Sequence, residues 1–229
     1  MLFRQLFDQD TWTYTYLLAD EGTHEAVIID PVDTQLDRDV KLIKELGVNL
    51  LYGFDTHVHA DHITSLGHLR DVTGCKTCVS VHGEVECSDI QLHEGDTFKF
   101  GKNQIRVLET PGHTNGCLSF ICDGMVFTGD SLLIRGCGRT DFQQGSAASL
   151  YDSITKKLFT LPDETVVYPS HDYKGMTVST IGEEKRLNPR LALGRDDFIT
   201  FMNALDLPNP KRIHEAVPAN LACGKEAQV

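Results

Sequence analysis

Short apolar runs separated by turn residues dominate the first quarter of the chain. Tyr14 to Ala19 and Glu25 to Ile29 are rich in β-branched and aromatic residues, and Asp20-Glu21-Gly22 between them is typical of a turn. Apolar residues then recur at helical spacing with Gly47 as a stop signal, and Val48 to Phe54 is an apolar run of the buried-strand kind. The pattern predicts two strands, a helix and a third strand. The apolar positions of the helix are Leu36, Val40, Ile43 and Leu46.

The rest of the chain alternates predicted strands and helices. Helices are predicted for Ile63 to Asp71, after Ser146 as an N-cap, and from Ser179 onward. This order predicts an α/β fold in which two mostly antiparallel or mixed sheets are covered by helices on the outside. We expect one domain over 1–229, with a short helical C-terminal extension from about residue 179. The further predicted strands are Lys76 to Val81, Thr97 to Phe100, Gln104 to Glu109, Leu118 to Cys122, Met125 to Phe127 and Thr165 to Tyr168.

The charge balance and the hydropathy exclude two classes of partner. Lys and Arg number 21 and Asp and Glu number 33, so the formal net charge is -12. Because sequence-independent binding to nucleic acids depends on neutralising phosphates, we expect no nucleic-acid partner. Apolar runs all fall short of the ~20 residues of a membrane-spanning helix, so we expect no membrane partner either.

Seven cysteines at irregular spacing predict free thiols in a reducing compartment, since a chain of this length needs no disulfide to hold its core. The N-terminus, Met1 to Gln5, has the form of neither a secretory signal nor a transit peptide. We therefore expect the cytoplasm for a bacterial chain, and the mitochondrial matrix for a eukaryotic chain whose presequence has been removed. The cysteines interpreted as buried or incidental thiols are Cys87, Cys117, Cys122 and Cys223.

A cluster of imidazole and carboxylate side chains follows the third predicted strand. His57, His59, Asp61 and His62 lie within six residues. Such groups are ligands of zinc, iron or manganese, and they repel one another once protonated unless a metal or a hydrogen-bond network neutralises them. At extended spacing, His57, His59 and Asp61 point to one side, and His62 faces a second position nearby. The cluster predicts a metal site.

Three more strand-end loops carry metal-binding side chains. His113 follows Pro111-Gly112, Asp130 follows Gly129, and His171 follows Ser170. A glycine before a ligand lets the backbone approach a metal closely. Because α/β folds bind ligands beyond the ends of their strands, the joint pattern predicts one metal centre built from four loops.

These elements resemble the metallo-β-lactamase superfamily. The resemblance implies an αββα sandwich with the metal between the sheet edges. It leaves open a site with two metals, as in a hydrolase of the glyoxalase II type that cleaves glutathione thiolesters with a bridging hydroxide. In that case one metal would be bound by His57, His59, His113 and Asp130, and the other by Asp61, His62, Asp130 and His171.

The segment Leu132 to Phe142 follows Asp130 directly and is expected at the mouth of the site. Arg135 and Arg139 are predicted anion clamps, since a guanidinium binds a carboxylate through two parallel hydrogen bonds. The alternative is a glycine-rich surface loop with solvated arginines. Cys137 lies within this segment and is the thiol expected nearest to the site.

This segment and six others resemble the persulfide dioxygenase family. The resemblance implies one Fe(II) per chain, bound by His57, His113 and Asp130, with three coordination positions open for O2 and substrate. His59, Asp61, His62 and His171 would then orient the ligands, bind water or tune the iron. The matching segments are Thr13 to Leu18, Ile29 to Asp33, Thr56 to His62, Gly136 to Phe142, Tyr168 to Tyr173, Asn188 to Leu191 and Ala216 to Asn220.

The implied reaction converts glutathione persulfide, O2 and water into sulfite and glutathione. Glutathione carries two carboxylates, so cations are expected near the mouth of the site. Arg139 is the first expected contact, with Arg190, Tyr173 and Lys174 as further ones. The alternative function is the binuclear glyoxalase II-type hydrolase, and a homodimer is left open.

Overall fold

A computed structural model describes residues 1–225, which form twelve strands and six α-helices. The final four residues of the expected domain, 226–229, lie outside the described part. The strands are β1 (Leu2–Asp8), β2 (Thr13–Ala19), β3 (Glu25–Ile29), β4 (Asn49–Phe54), β5 (Lys76–Ser80), β6 (Ile90–Leu92), β7 (Thr97–Phe100), β8 (Asn103–Glu109), β9 (Leu118–Cys122), β10 (Met125–Gly129), β11 (Val166–Pro169) and β12 (Ser179–Thr180). The helices are α1 (Leu36–Leu46), α2 (Leu66–Thr73), α3 (Ala147–Lys156), α4 (Ile181–Leu187), α5 (Arg195–Asn203) and α6 (Ile213–Leu221).

Two mixed sheets organise the described chain. The first has the order β1-β2-β3-β4-β5-β6, antiparallel from β1 to β3 and parallel from β3 to β6. The second has the order β12-β11-β10-β9-β8-β7, and its described pairs are antiparallel apart from β10 with β11. With helices on their outer faces, the two sheets form an α/β sandwich, so the predicted fold class is confirmed.

The strand β2 shows how the sequence pattern builds two cores at once. Tyr14, Tyr16 and Leu18 pack in the core between the sheets, together with residues of β9 and β10. Leu17 and Ala19 face the other way, into the core under α1 and α2. Because side chains alternate along a strand, both faces of β2 are buried, and its apolar and aromatic residues are joined only by the buried threonines Thr13 and Thr15.

Local sequence determines the ends of two helices as predicted. Gly47 ends α1 in the left-handed region at φ 62°. The hydroxyl of Ser146 accepts a hydrogen bond from the N–H of Ser149 at 3.2 Å at the start of α3. The outer core of the second sheet lies beneath α3, α4 and α5.

The second helix begins later than Ile63, where the sequence pattern placed its start. Thr64 forms an isolated bridge with Val32, and its N–H donates to Oδ1 of Asn220 at 2.8 Å. The N–H of Ser65 donates to the carbonyl of Pro31 at 2.9 Å. The carbonyl of Ile63, which a helix starting there would need as its first acceptor, instead accepts from the N–H of Asp33 at 2.8 Å, and the bridge keeps Thr64 extended, so α2 starts at Leu66.

The expectation that Cys87 and Cys223 are free thiols is wrong. The two residues form a disulfide across 136 residues of sequence, with Cα atoms 6.1 Å apart. The cysteines described as free are buried, and burial raises the pKa of Cys117 and Cys122 to about 11. The cysteine pattern alone therefore does not identify a reducing compartment.

Every helix in residues 1–225 falls short of the length and apolar character that crossing a bilayer requires.

Two leucines on helices provide a matched test of the outer cores. Leu69 in α2 is 0% exposed, whereas Leu187 at the end of α4 is 55% exposed. Leu69→Ala should lower the free energy of unfolding by roughly 2–5 kcal/mol, because it removes buried methyl groups and leaves a cavity. Leu187→Ala should change it by less than about 1 kcal/mol, since alanine and leucine are both good helix formers. Urea titrations of both variants measure the difference, and equal losses would contradict the described packing.

Candidate metal centre

Loops from both sheets bring three buried side chains together. His57 follows β4, His113 follows β8 and Asp130 follows β10. One ligand atom from each residue lies within 4.8 Å of the other two. The three ligands implied by the family resemblance thus lie together, although they come from segments up to 73 residues apart, from 57 to 130.

The hydroxyl of Thr56 orients the His57 ring. It donates to Oδ2 of Asp30 at 2.9 Å, so its oxygen accepts from Nδ1 of His57 at 3.0 Å. Burial, and the neighbouring rings of His59 and His113, hold the pKa of His57 well below its usual value. The ring is therefore neutral, with its proton on Nδ1 and the lone pair of Nε2 available to a metal.

The ring of His113 is oriented in the same sense by the backbone. Its Nδ1 donates to the carbonyl of Arg139 at 2.7 Å, which leaves the lone pair on Nε2. This nitrogen lies 3.7 Å from Oδ2 of Asp130. The chain passes so close to the ring that a Cβ added at Gly138 would lie 2.8 Å from it. A glycine is therefore required beside this ligand.

His171 connects two carboxylates. Its Nδ1 lies 2.7 Å from Oδ1 of Asp130, and its Nε2 lies 2.9 Å from Oδ2 of Asp61. Burial opposes a charge on this ring, but the two carboxylates outweigh burial and raise the pKa of His171 well above its usual value. In the metal-free chain the two carboxylates thus favour the protonated ring, which occupies Oδ1 of Asp130, so Oδ2 is the oxygen that faces His113.

A second group of donors lies beside the first. Ligand atoms of His59, Asp61 and His62 also fall within 4.8 Å of one another. His59 and Asp61 therefore group with His62 and not with His57, so the expected common side for His57, His59 and Asp61 is wrong, because the loop after β4 bends rather than forming a strand. Within residues 1–225, Nδ1 of His59 and Nε2 of His62 are buried without a hydrogen-bond partner.

A cavity of about 720 Å³ opens onto His113, Asp130 and His171. Its walls include Leu133 to Arg139 and Phe142, so the segment expected at the mouth lies there. The volume falls in the range of sites for small organic ligands, about 300–1,000 Å³.

Neither arginine of the mouth segment is available as the expected anion clamp. Arg139 donates from Nε and Nη2 to the carboxylate of Asp141, each at 2.6 Å. It also donates to the carbonyl of Leu207 at 3.0 Å and that of Pro208 at 2.6 Å, which fixes the loop after α5 against the cavity. Arg135 pairs instead with the carboxylates of α4. Its partners there are Glu183 and Glu184.

The other three expected substrate contacts line the cavity. Tyr173 is 61% exposed, and its ring lies parallel to that of His171 with centroids 6.1 Å apart. Arg190 donates to the carbonyl of Cys137 at 2.7 Å and retains further N–H groups. Lys174 is exposed at the mouth. Cys137 also lines the cavity, and burial raises the pKa of its thiol.

The sequence interpretation missed two cations of the cavity wall. Lys211 and Arg212 lie there, directly after the loop that Arg139 fixes. Arg212 also pairs with exposed Glu215 at 3.2 Å. Adjacent basic residues after Pro210 in an acidic chain are a signal that could have identified them.

Comparison with known proteins places this arrangement in a family. The model of the metallo-beta-lactamase superfamily matches residues 13–171. The mitochondrial persulfide dioxygenase ETHE1 of Mus musculus is 52% identical over 227 residues, which cover 98% of this chain and 89% of that protein. The chain belongs to the persulfide dioxygenase family. The crystal structure of ETHE1 from Myxococcus xanthus is 55% identical, with a TM-score of 0.96, and the match covers 98% of this chain and 100% of that one.

Two more distant relatives bear on the metal and on the alternative function. A hydroxyacylglutathione hydrolase of Cereibacter sphaeroides is 34% identical over 165 residues, 70% of this chain and 62% of that protein. A di-iron-bound form of the protein TTHA1623 is 26% identical with a TM-score of 0.69, and the match covers 81% of this chain and 98% of that one. The persulfide dioxygenases match more of the chain at higher identity.

The sequence pattern identifies Asp30 only as the end of a strand. In this persulfide dioxygenase, the Asp30 side chain holds the loop after β4 through hydrogen bonds. The buried carboxylate accepts from the N–H of Thr56 at 2.7 Å, from the hydroxyl of Thr56, from His59 at 3.2 Å and from the hydroxyl of Ser170. Burial acts to raise the pKa of Asp30, but the charge of His59 and these hydrogen bonds lower it to about 2.

This pKa predicts an acid-sensitive part of the stability of the metal-free protein. The pKa of Asp30 is about 2 in the folded chain against 3.8 for an ordinary aspartate, so its contribution is complete above pH 3.8 and is lost as the pH falls towards 2. Between pH 6 and pH 3, wild type should lose about 1 kcal/mol more free energy of unfolding than Asp30→Asn. Urea titrations at both pH values measure this. Asp123→Asn in the exposed β9–β10 turn is the control, and parallel losses in wild type and Asp30→Asn would contradict the assignment.

Proposed function

We propose that one Fe(II) per chain binds His57, His113 and Asp130, and that glutathione persulfide is the substrate in the adjoining cavity. The chain is a persulfide dioxygenase, an oxidoreductase, as its relatives at about half identity over nearly the whole chain indicate. The proposed reaction takes up one O2 and one water per persulfide and yields glutathione, sulfite and two protons.

The observation that carries the proposal is the common orientation of the donors. Both histidines donate Nδ1–H away from the centre, to Thr56 and to the Arg139 carbonyl, which leaves Nε2 of each ring for a metal, and Nε2 of His113 lies 3.7 Å from Oδ2 of Asp130. Two neutral imidazoles and one carboxylate suit a divalent metal of the iron type, so the residues fit the group. A ferrous ion held this way would supply open coordination positions and redox chemistry for O2 and an anionic sulfur.

His171 favours one metal ion rather than two. A second ion beside the first would bind Asp61 and share Asp130, whose oxygens already contact His171 at 2.9 and 2.7 Å. Those hydrogen bonds would have to be given up before a second ion could bind Asp61 and Asp130, so they favour one ion over two.

The cavity wall carries cations that can bind the anionic groups of the substrate. Glutathione persulfide carries two carboxylates into a chain with a net charge of -12. We assign their recognition to the cavity cations Lys174, Arg190, Lys211 and Arg212. Arg139 acts on the substrate indirectly, because it holds the loop that precedes Lys211 and Arg212. Tyr173 provides an aromatic face beside His171.

Compartment and assembly stay predictions. The cytoplasm is expected for a bacterial chain and the mitochondrial matrix for a eukaryotic one, and the homodimer is left open.

The alternative, a binuclear glyoxalase II-type hydrolase, has one observation in its favour. The unpartnered nitrogens of His59 and His62 lie in a second group of donors with Asp61. Tightly bound zinc at two ions per chain, with rapid hydrolysis of a glutathione thiolester, would establish this function instead.

Removing a ligand should remove iron and activity together. Wild type should contain about one iron per chain, and His57→Ala or Asp130→Asn should lose most of it, because two remaining donors hold a metal weakly. Iron is measured by plasma mass spectrometry, and activity by O2 uptake with sulfite release. His93→Ala, on the exposed surface, is the control. Retained iron with full turnover in either ligand variant would refute the ligand set.

Removing a cavity cation should weaken substrate binding more than turnover. Lys211→Met should raise KM for glutathione persulfide by roughly tenfold with little change in kcat and in iron content, because one charge-assisted hydrogen bond is lost. Lys41→Met, on the exposed face of α1, is the matched control. An unchanged KM would exclude Lys211 from carboxylate recognition.

A further inference from the structure

Residues 220–224, which we call the C-terminal clamp, lie against the loop between β4 and α2. This loop, residues 55–65, carries His57, His59, Asp61 and His62, and we call it the donor loop. Asn220 is 3% exposed. Its Nδ2 donates to the carbonyls of His59 at 2.8 Å and His62 at 2.9 Å, and its Oδ1 accepts the N–H of Thr64 at 2.8 Å. One amide side chain therefore satisfies three backbone groups of a loop that forms neither strand nor helix.

Two glycines make this close contact sterically feasible. A Cβ added at Gly224 would lie 1.8 Å from the carbonyl oxygen of Thr64, and one at Gly67 would lie 2.4 Å from the carbonyl oxygen of Cys223. The N–H of Gly67 donates to that same carbonyl at 3.0 Å. The clamp is thus fitted closely to the donor loop and to the start of α2.

Apolar packing contributes little to this attachment. The clamp meets a small cluster that is separate from the cores between and outside the sheets. Hydrophobic stabilisation grows with the apolar area buried, so a small cluster holds the end of a chain weakly. The buried members of the cluster are Leu66, Val79, Val85 and Cys223.

The Cys87–Cys223 disulfide attaches the clamp more firmly than this packing does. Cys223, three residues beyond Asn220, is bonded to Cys87 in the segment between β5 and β6. The bond fixes the clamp covalently to the rest of the domain, 136 residues back in the chain. Without it, the clamp rests on its hydrogen bonds and on an exposed ion pair of Lys225 with Asp71.

We propose that Asn220 is a positioning residue for the donor loop and that the Cys87–Cys223 disulfide makes its hold redox-dependent. The proposal rests on the proposed function in one respect only, that the donor loop belongs to the catalytic site. The oxidised chain holds the loop in order for metal binding. The reduced chain releases the clamp, and the loop binds the metal less tightly.

The chemistry of the switch is thiol–disulfide exchange with a small thiol. Cys87 is half-buried, whereas Cys223 is only 3% exposed. The thiolate of the small thiol therefore attacks Sγ of Cys87. The Cys87–Cys223 bond breaks as the mixed disulfide forms, and Cys223 leaves as a thiolate that takes up a proton. A second thiol attacks the mixed disulfide, releasing the small disulfide and the Cys87 thiol. Two thiols are oxidised and one protein disulfide is reduced. Glutathione, the product of the proposed reaction, belongs to this class of thiol.

Hydrogen–deuterium exchange on the full chain, metal-free and iron-loaded, tests the clamp directly. In metal-free Asn220→Ala, the peptide that contains Thr64 should exchange roughly tenfold faster than in oxidised wild type, because its N–H loses its acceptor. Two further changes, reduction of wild type with glutathione and the substitution Cys87→Ser without any reductant, should each accelerate exchange in the same peptide. Exchange in a peptide from β9 and β10 should stay unchanged. Asn220→Ala and loss of the disulfide should each raise the Fe(II) dissociation constant by roughly tenfold.

Cys87→Ser treated with glutathione is the internal control, because it has no bond left to reduce and should show no further change. An unchanged exchange rate in Asn220→Ala would overturn the positioning role. Wild-type loop exchange and iron affinity that do not respond to confirmed reduction would overturn the switch. Faster exchange in both peptides would also contradict it, since that outcome means general loosening.

These readouts separate the clamp from the proposed function. If oxidised wild type shows the expected exchange and iron affinity but neither takes up O2 nor releases sulfite, the proposed function fails and the clamp stands. If O2 uptake and sulfite release occur while exchange and affinity ignore both Asn220 and the disulfide, the clamp fails and the function stands.

Discussion

A single buried carboxylate, that of Asp30, determines the arrangement of the metal loop. It lies directly after β3 in the first sheet and accepts hydrogen bonds from Thr56, from His59 and from Ser170, which follows β11 in the second sheet. A buried charge is costly unless it is fully hydrogen-bonded. The positions of Thr56, His59 and Ser170 are therefore fixed relative to one another by their shared acceptor. Through Thr56 the constraint reaches His57 and fixes which of its nitrogens faces the metal.

The same principle explains the neighbouring charges. Burial between the carboxylates of Asp61 and Asp130 raises the pKa of His171 in the metal-free chain, because the two negative charges outweigh the cost of burying a charged ring. The signs are reversed at the mouth of the cavity, where the wall carries the cations Lys174, Arg190, Lys211 and Arg212. The guanidinium of Arg139 is engaged by the protein itself, and the loop that it holds leads directly to Lys211 and Arg212 in the cavity wall.

Sequence patterns predicted those features that depend on local physical chemistry or on a family motif. The helix α1, its end at Gly47 and the cap at Ser146 follow from residues within a few positions of one another. The proposed ligand set was taken from a resemblance, since spacing alone left one and two metals open. The role of Arg139 was missed because its carbonyl partners are 68 and 69 residues away, at Leu207 and Pro208. The disulfide at Cys87 was missed for the same reason, since only tertiary structure brings its partner close.

The central claim is that two imidazoles and one carboxylate hold a single iron ion. The most direct measurement is an anomalous difference map of the iron-loaded protein, collected at energies on both sides of the iron absorption edge. The account predicts one iron peak per chain, within bonding distance of Nε2 of His57, Nε2 of His113 and a carboxylate oxygen of Asp130. A second metal peak of comparable height among His59, Asp61 and His62, or a single peak centred there, would contradict it.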